Sequence, residues 1–578
     1  MLAARIFIMH KPLICLLAGM TALSAWAQKT TDTLSNRSLT IERNYTPVLQ
    51  DAQKIYVAPT PVEISLPRRD VTYSTYDRTL IPELSIKPLA AAGAVFPDVS
   101  DYKGFARVGL GLYWNTLADF KYRMLDDERS AFDVDLHHIG TFARRKSSVT
   151  DIDLNFTQHL DAVSLYGGIA AEHNLFNYYG RYYRPQSEDY DWTAARHNDS
   201  TYLNNLWNFG FRFGVKSAAE QETKFYAQVG YELTSVADYD LYLQPMGLPE
   251  DYRLTEHRIR VQGGAEWLLE VSRLGFNADI TSNFYKRAEG AYHNRPFVTV
   301  KLEPYYAVTG QKAWLHVGAN IDMSMGRGKV FGVSPNVIGE WQAQPEMLAI
   351  YAAVGGRYDA RNLHDVMSEN RYAMPLLGVA DTLNSYTPVD IRFGLKIHPV
   401  SGLLINPFAQ FEYTKDDLCP LATDLGTFGM VKTDMRHFKV GMSANYHFGD
   451  VFDISGMLAY NQWTAMQLEH AWYRPSFEAR LSGRLHVLKK WSFQLDSYFT
   501  DKVYGGVCEV LPGTPPTTQV VEHDLSGNYD INLGATYLLT DRISFFGNLN
   551  NIFSSKDYPL YGYMSEGINF VLGASFQF

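Results

Sequence analysis

The chain ends on Gly567–Phe578, GINFVLGASFQF, and these residues limit the fold more than any others. Ile568, Phe570, Leu572, Ala574, Phe576 and Phe578 fall on one face, and Asn569, Gly573, Ser575 and Gln577 on the other, with Val571 the exception. Period-2 alternation of this kind makes a strand with one apolar and one polar face. In a soluble sheet, a terminal strand with an all-apolar outer face invites aggregation. In a closed barrel in lipid the same face meets hydrocarbon, and the last strand pairs with the first.

The pattern recurs from Lys103 onward. Ala106, Val108, Leu110, Leu112 and Trp114 share a face; Ala118, Phe120, Tyr122 and Met124 oppose Asp119, Lys121 and Arg123. Phe209, Phe211, Phe213 and Val215 oppose Asn208, Gly210, Arg212 and Lys216, and Phe477, Ala479, Leu481 and Leu485 oppose Glu478, Arg480, Ser482 and Arg484. A charged face on strand after strand cannot point into a dry core; it suits a wet lumen. Composition agrees: 38 Tyr, 32 Phe and 10 Trp with a mean hydropathy of only −0.20 describe strands that are half apolar. Beyond the N-terminus no apolar run reaches the roughly 18 residues of a membrane helix. The competing fold is a large soluble antiparallel sheet, but no repeat of roughly 40 residues supports a propeller. The net charge of −10 argues against a nucleic-acid partner.

Connection lengths sharpen the choice. Leu125–Ser130, Gln158–Asp161, Thr309–Gln311, His398–Gly402, Gly449–Val451 and Thr540–Arg542 are short, while Asn174–Tyr202, Ala237–Leu254, Asp359–Tyr386, Lys415–Arg436, Lys502–His523 and Ser554–Glu566 are long. Short periplasmic turns alternating with longer external loops belong to outer-membrane barrels, and the count gives about 22 strands with both termini periplasmic. The fold class expected is therefore all-β, a transmembrane antiparallel barrel over 103–578 preceded by a short extended segment.

Residues 1–27 read as a signal peptide: Arg5 and Lys11, a mostly apolar Leu13–Trp26, and Ala25-Trp26-Ala27 before Gln28. Residues 28–102 are broken by Pro47, Pro59, Pro61, Pro67, Pro82, Pro88 and Pro97 and read as an extended periplasmic or lumenal segment.

Asp133, Asp135 and His137 lie two apart on one face, a spacing that suits a metal, but lumens carry such residues to hold water, and no metal or cofactor is expected. No G-x-S-x-G elbow or comparable nucleophile motif appears, so an enzyme is not expected. In the loop Asn174–Tyr202, Tyr178, Tyr179, Tyr182, Tyr183 and Trp192 could contact a ligand by stacking; loop packing and an interfacial girdle are the plainer explanation. Cys419 and Cys508 fall in two external connections, where an oxidising surface permits a disulfide.

The residues also carry a resemblance. Gly573, Phe576 and the terminal Phe578 resemble the C-terminal membrane-insertion signal of bacterial outer-membrane barrels, which implies the barrel-assembly machinery as a partner. Phe545–Phe553 (FFGNLNNIF), followed by YGYMSEGINF, resembles the last strands of TonB-dependent receptors, a family with 22 strands around a plug. NYTPVLQDAQKI (Asn44–Ile55), Gly104–Tyr122, VSPNVIGEW (Val333–Trp341) and Ala349–Leu363 resemble the TonB-receptor-like barrels of Bacteroidota. The resemblance implies a bacterial outer-membrane protein in the lipid bilayer, porin-like or receptor-like, transporting a nutrient or solute. Gln28–Tyr102 is too short for the family's plug. The alternative is therefore a structural subunit of an outer-membrane assembly, partnered by a lipoprotein or larger complex.

Overall fold

The computed structural model describes residues 102–127, 129–184, 189–190, 203–218, 223–237, 253–286, 296–326, 328–374, 384–423, 426–449, 451–487, 490–511 and 517–578. The signal peptide and, apart from Tyr102, the proline-rich segment lie outside the described residues.

The wall consists of β1 (Gly104–Gly111), β2 (Thr116–Asp126), β3 (Ser130–Thr141), β4 (Ser147–His159), β5 (Val163–Asn177), β6 (Leu203–Ser217), β7 (Thr223–Ala237), β8 (Arg253–Leu269), β9 (Ser272–Tyr285), β10 (Phe297–Thr309) and β11 (Ala313–Met325). It continues through β12 (Phe331–Gln344), β13 (Leu348–Ala360), β14 (Asn384–Ile397), β15 (Leu403–Thr423), β16 (Phe428–Phe448), β17 (Phe452–Ala465), β18 (Phe477–Val487), β19 (Trp491–Thr500), β20 (Tyr529–Leu538), β21 (Ile543–Asn550) and β22 (Asn569–Gln577). Each strand pairs antiparallel with the next, and β22 closes on β1 from Phe105↔Gln577 to Gly111↔Val571. The continuous sheet holds 24 strands; two of them, Val503–Leu511 and Thr517–Leu525, form a ribbon outside the wall, because β19 pairs directly with β20. The transmembrane barrel thus has 22 strands, as the alternation and loop lengths indicate.

Alternation sets the two faces. Phe209, Phe211 and Phe213 of β6, Ile391 and Phe393 of β14, and Phe570, Leu572 and Phe576 of β22 are exposed on the outside, as lipid-facing residues should be. The inner face is polar and cross-linked: Arg260 donates to Asp279 at 2.8 Å, Tyr305 to Glu266 at 3.0 Å, Lys396 to Glu340 at 2.7 Å and Lys439 to Glu478 at 2.6 Å. Three inward tyrosines, Tyr166, Tyr305 and Tyr351, lie over the glycines directly across from them, Gly214, Gly275 and Gly394. A Cβ on any of those glycines would stand 2.3–2.4 Å from the ring. The bare backbone is what lets the ring lie flat against the wall.

Val571, which breaks the alternation of the last strand, faces inward and packs with Leu117 and Phe546. The Arg107 guanidinium caps that cluster, 3.8 Å over the Phe546 ring.

The wall is uneven in height. β1, β21 and β22 have 8, 8 and 9 residues, whereas β15 and β16 have 21 each. The sequence reading made Lys415–Arg436 a loop. Instead the β15–β16 ladder runs on to Ala422↔Phe428 past a bulge between Thr414 and Asp417, where Asp416 has φ 54°. A bulge bends the ribbon while keeping most of its ladder. Lys502–His523 likewise contains ribbon, and that ribbon pairs in parallel with the β15 extension at Leu421↔Gly506, Ala422↔Val507 and Thr423↔Cys508.

The sealed mouth as candidate functional site

The main apolar core lies at the long-loop end of the barrel, where connections from around the rim meet. One buried cluster joins Phe176 and Tyr178 with Leu206, Val236, Leu254 and Leu418, and with Leu363, Val366 and Met367 of a short helix α1 (Leu363–Glu369) in the β13–β14 connection. The other joins Tyr179, Cys419, Phe428, Trp472, Tyr473, Val507 and Tyr563. Tyr372, following α1, stacks on Tyr563 at 3.6 Å, and Tyr179 meets Tyr563 edge-on at 4.9 Å. Tyr179 donates to the Met564 carbonyl at 2.9 Å and the Tyr563 hydroxyl to the Gly426 carbonyl. Gly180 is needed here, since a Cβ would stand 2.4 Å from the Tyr563 ring. A buried tyrosine ring of this kind hides on the order of 150–250 Å², and Tyr179 and Tyr563 each give the hydroxyl to a backbone acceptor.

α1 begins on a capping box: Asn362 accepts from the Asp365 amide at 2.7 Å while Asp365 accepts from the Asn362 amide at 3.0 Å. This satisfies two amides that the first turn would otherwise leave open. The helix docks on the inner wall through its first turn. The Leu363 amide donates to the buried Glu256 of β8 at 3.0 Å. His364 lies between Glu172 of β5 and Glu232 of β7, at 3.0 and 3.5 Å. Near the C-terminal end of α1, Arg474 pairs with Asp417 at 2.6 Å. Burial opposes the charge on Arg474, and Asp417 more than restores it. Burial also pushes the Tyr372 phenol up, so it stays neutral and keeps its proton for bonding.

The candidate residues from the sequence distribute unevenly. Tyr178 and Tyr179 are only 4% and 9% exposed and pack into the seal, so they present no free ring to a ligand from solution. Tyr182 and Tyr183 fall on a 3₁₀ turn and a two-residue ribbon; their side chains, and Trp192 altogether, lie outside the described residues. The disulfide that the sequence permits between Cys419 and Cys508 is not made: both thiols are free. Cys508 stands opposite Thr423, four positions beyond Cys419 on the same strand, an offset of roughly 13 Å at the strand rise and far beyond bridging range. Asp133, Asp135 and His137 share an inner face, and each is taken by β2, through Arg123 at 2.7 Å, Lys121 at 3.2 Å and Asp119 at 2.5 Å. Among the described residues no group of three or more such side chains is placed to hold a metal ion.

Gly573, Phe576 and Phe578 sit together at the seam. Gly573 faces Gly109 across it, and a Cβ there would stand 2.1 Å from the Val108 carbonyl oxygen. Phe578 exchanges backbone hydrogen bonds with Gly104 at 2.8 and 3.0 Å, and its ring stacks on Tyr122 at 5.8 Å and Phe576 at 5.7 Å. Sequence reasoning missed α1 and the seal. The Asn362-x-x-Asp365 capping pattern was the one local signal that could have shown the helix.

No protein-family model matches the sequence, and no curated protein matches it. Solved structures do. The ferric-catecholate import receptor Fiu of E. coli K12 aligns with a TM-score of 0.59 at 11% identity, covering 83% of this chain and 82% of that one. The FrpB iron transporter of Neisseria meningitidis aligns at 0.62 and 10%, covering 83% and 82%. The ferripyoverdine receptor of the outer membrane of Pseudomonas aeruginosa aligns at 0.59 and 10%, covering 84% and 72%. At such identities the likeness is one of architecture: this chain has the barrel fold of those receptors and transporters.

Proposed function

We propose that this protein is a bacterial outer-membrane barrel, receptor-like in the manner of TonB-dependent receptors, that passes a nutrient or solute across the membrane. The observation that carries this reading is the inner wall: a closed ring of 22 strands lined by hydrogen-bonded charges, a width that leaves a lumen rather than a packed core. The fold shared with import receptors supports it. Both ends of the described wall, Gly104 and Phe578, lie at the short-turn end, which fits periplasmic termini. The insertion role of Gly573, Phe576 and Phe578 and a Bacteroidota-type affiliation belong to the same reading.

A second reading, a structural subunit of an outer-membrane assembly, is favoured by the interlocked seal, which gives the mouth a built surface of its own. Planar-bilayer recording of the purified protein, beside purification in mild detergent, tests the pair. Ligand-dependent conductance from an isolated barrel upholds transport. A silent barrel with a stoichiometric lipoprotein partner overturns it in favour of assembly.

A further inference from the structure

Most ion pairs of the lumen join wall to wall: His137 with Asp119, Lys396 with Glu340, Lys439 with Glu478. His364 instead joins a loop to the wall, and it does so with both ring nitrogens. Nε2 is 3.0 Å from Glu172 Oε2 and Nδ1 is 3.5 Å from Glu232 Oε1. A neutral imidazole offers one N–H and one lone pair, and a lone pair aimed at a carboxylate is repelled. The arrangement is satisfied when both nitrogens carry protons.

The surrounding charges reinforce this. Asp365, on the same helix, adds a third carboxylate, and Glu256 of β8 holds the neighbouring Leu363 amide. Arg258 of β8 offsets part of the negative charge, 3.6 Å from Glu232 and 4.0 Å from Asp365. The Ser368 hydroxyl lies 3.4 Å from Nε2. Burial disfavours the imidazolium. The Glu172 hydrogen bond and the charges of Glu172, Glu232 and Asp365 overcome it and hold the group above the ordinary histidine range.

We propose that α1 is a proton-held latch: the imidazolium of His364 pins the β13–β14 connection, and with it Tyr372 in the aromatic seal, to β5 and β7, and loss of that proton releases the helix and loosens the mouth. The sign follows from linkage. The docked state raises the affinity for the proton, so the docking energy is complete below the free imidazole value of about 6.5 and drains away as pH climbs through the raised docked value.

Hydrogen exchange of the full chain in detergent reads docking directly, whatever the barrel transports. After correction for intrinsic exchange, protection of Arg361–Tyr372 falls about tenfold or more between about pH 5.5 and pH 8.5, the weight of one charge-assisted hydrogen bond. His364→Gln flattens the profile, and Glu232→Gln moves the transition to lower pH. Maleimide labelling of Met367→Cys, in a Cys419→Ala/Cys508→Ser background, speeds up over the same range relative to Gln311→Cys in a short turn. Protection of α1 in the unmodified protein that does not change with pH overturns the latch, as does a pH-dependent loss that survives in His364→Gln.

Discussion

The wall and the seal are built on opposite principles. In the wall every strand pairs with its neighbour in sequence, the seam apart, and the apolar side chains, the Val571–Leu117–Phe546 cluster apart, point out toward lipid. Its integrity rests on backbone ladders that have no other partner in hydrocarbon. In the seal, residues from distant connections meet, and apolar side chains point inward and away from water, as in a soluble core. One molecule therefore carries two kinds of stability: one is disturbed by obstructing a ladder, the other by removing a ring.

The largest effect expected is in the wall. Gly573→Val places a side chain where the Val108 carbonyl and the Phe546 ring already stand, so the seam cannot close. The heat-modifiable folded band should disappear from semi-native gels. An intact band would show that the seam tolerates a splayed register.

Next is the seal. Tyr563→Ala removes a ring that is 2% exposed and touches Tyr179, Tyr372 and Phe428, a loss of about 3–5 kcal/mol from the cap. Limited proteolysis should open the β13–β14 and β21–β22 connections while heat-modifiability is kept. If both are lost together, wall and seal are one cooperative unit and the contrast fails.

Phe211→Arg tests the outward face. Phe211 is 45% exposed, and a charge there costs about 2–4 kcal/mol near the bilayer midplane, measurable as a lower urea midpoint in vesicles. The smallest effect belongs to Lys121→Ala inside the lumen. The pair with Asp135 is more than half exposed on the lysine side, so the unfolding free energy from the same titration should move by less than about 1 kcal/mol. A larger shift would mean that the lumenal charges form a network and not separate pairs.

These differences also explain what could be read from the sequence. Strand faces and turns were legible because a strand flips its side chains at every residue, so Phe209, Phe211 and Phe213 declare their own geometry. Even the irregular Val571 was visible as irregular, though not that Leu117 and Phe546 await it. The seal was not legible. Tyr178, Tyr372 and Tyr563 lie in aperiodic stretches, and nothing local says that they meet. The β15–β16 extension was lost for a related reason: the bulge at Asp416 shifts the alternation and hides a continuing ladder. The cysteines failed on register, which loop position alone does not supply.

The seam also governs the order of events in building the barrel. Every other wall pairing joins neighbours in the chain, but Phe105↔Gln577 ties the first wall strand to the last. Bringing ends so far apart together costs about 5 kcal/mol of chain entropy by the logarithmic loop law, against far less for a hairpin of a few residues. Partial sheets thus form readily and remain open, with two unpaired edges, until Phe578 reaches Gly104. An open sheet of this kind must be shielded from other chains until those two edges meet, because each edge is a template for a foreign strand.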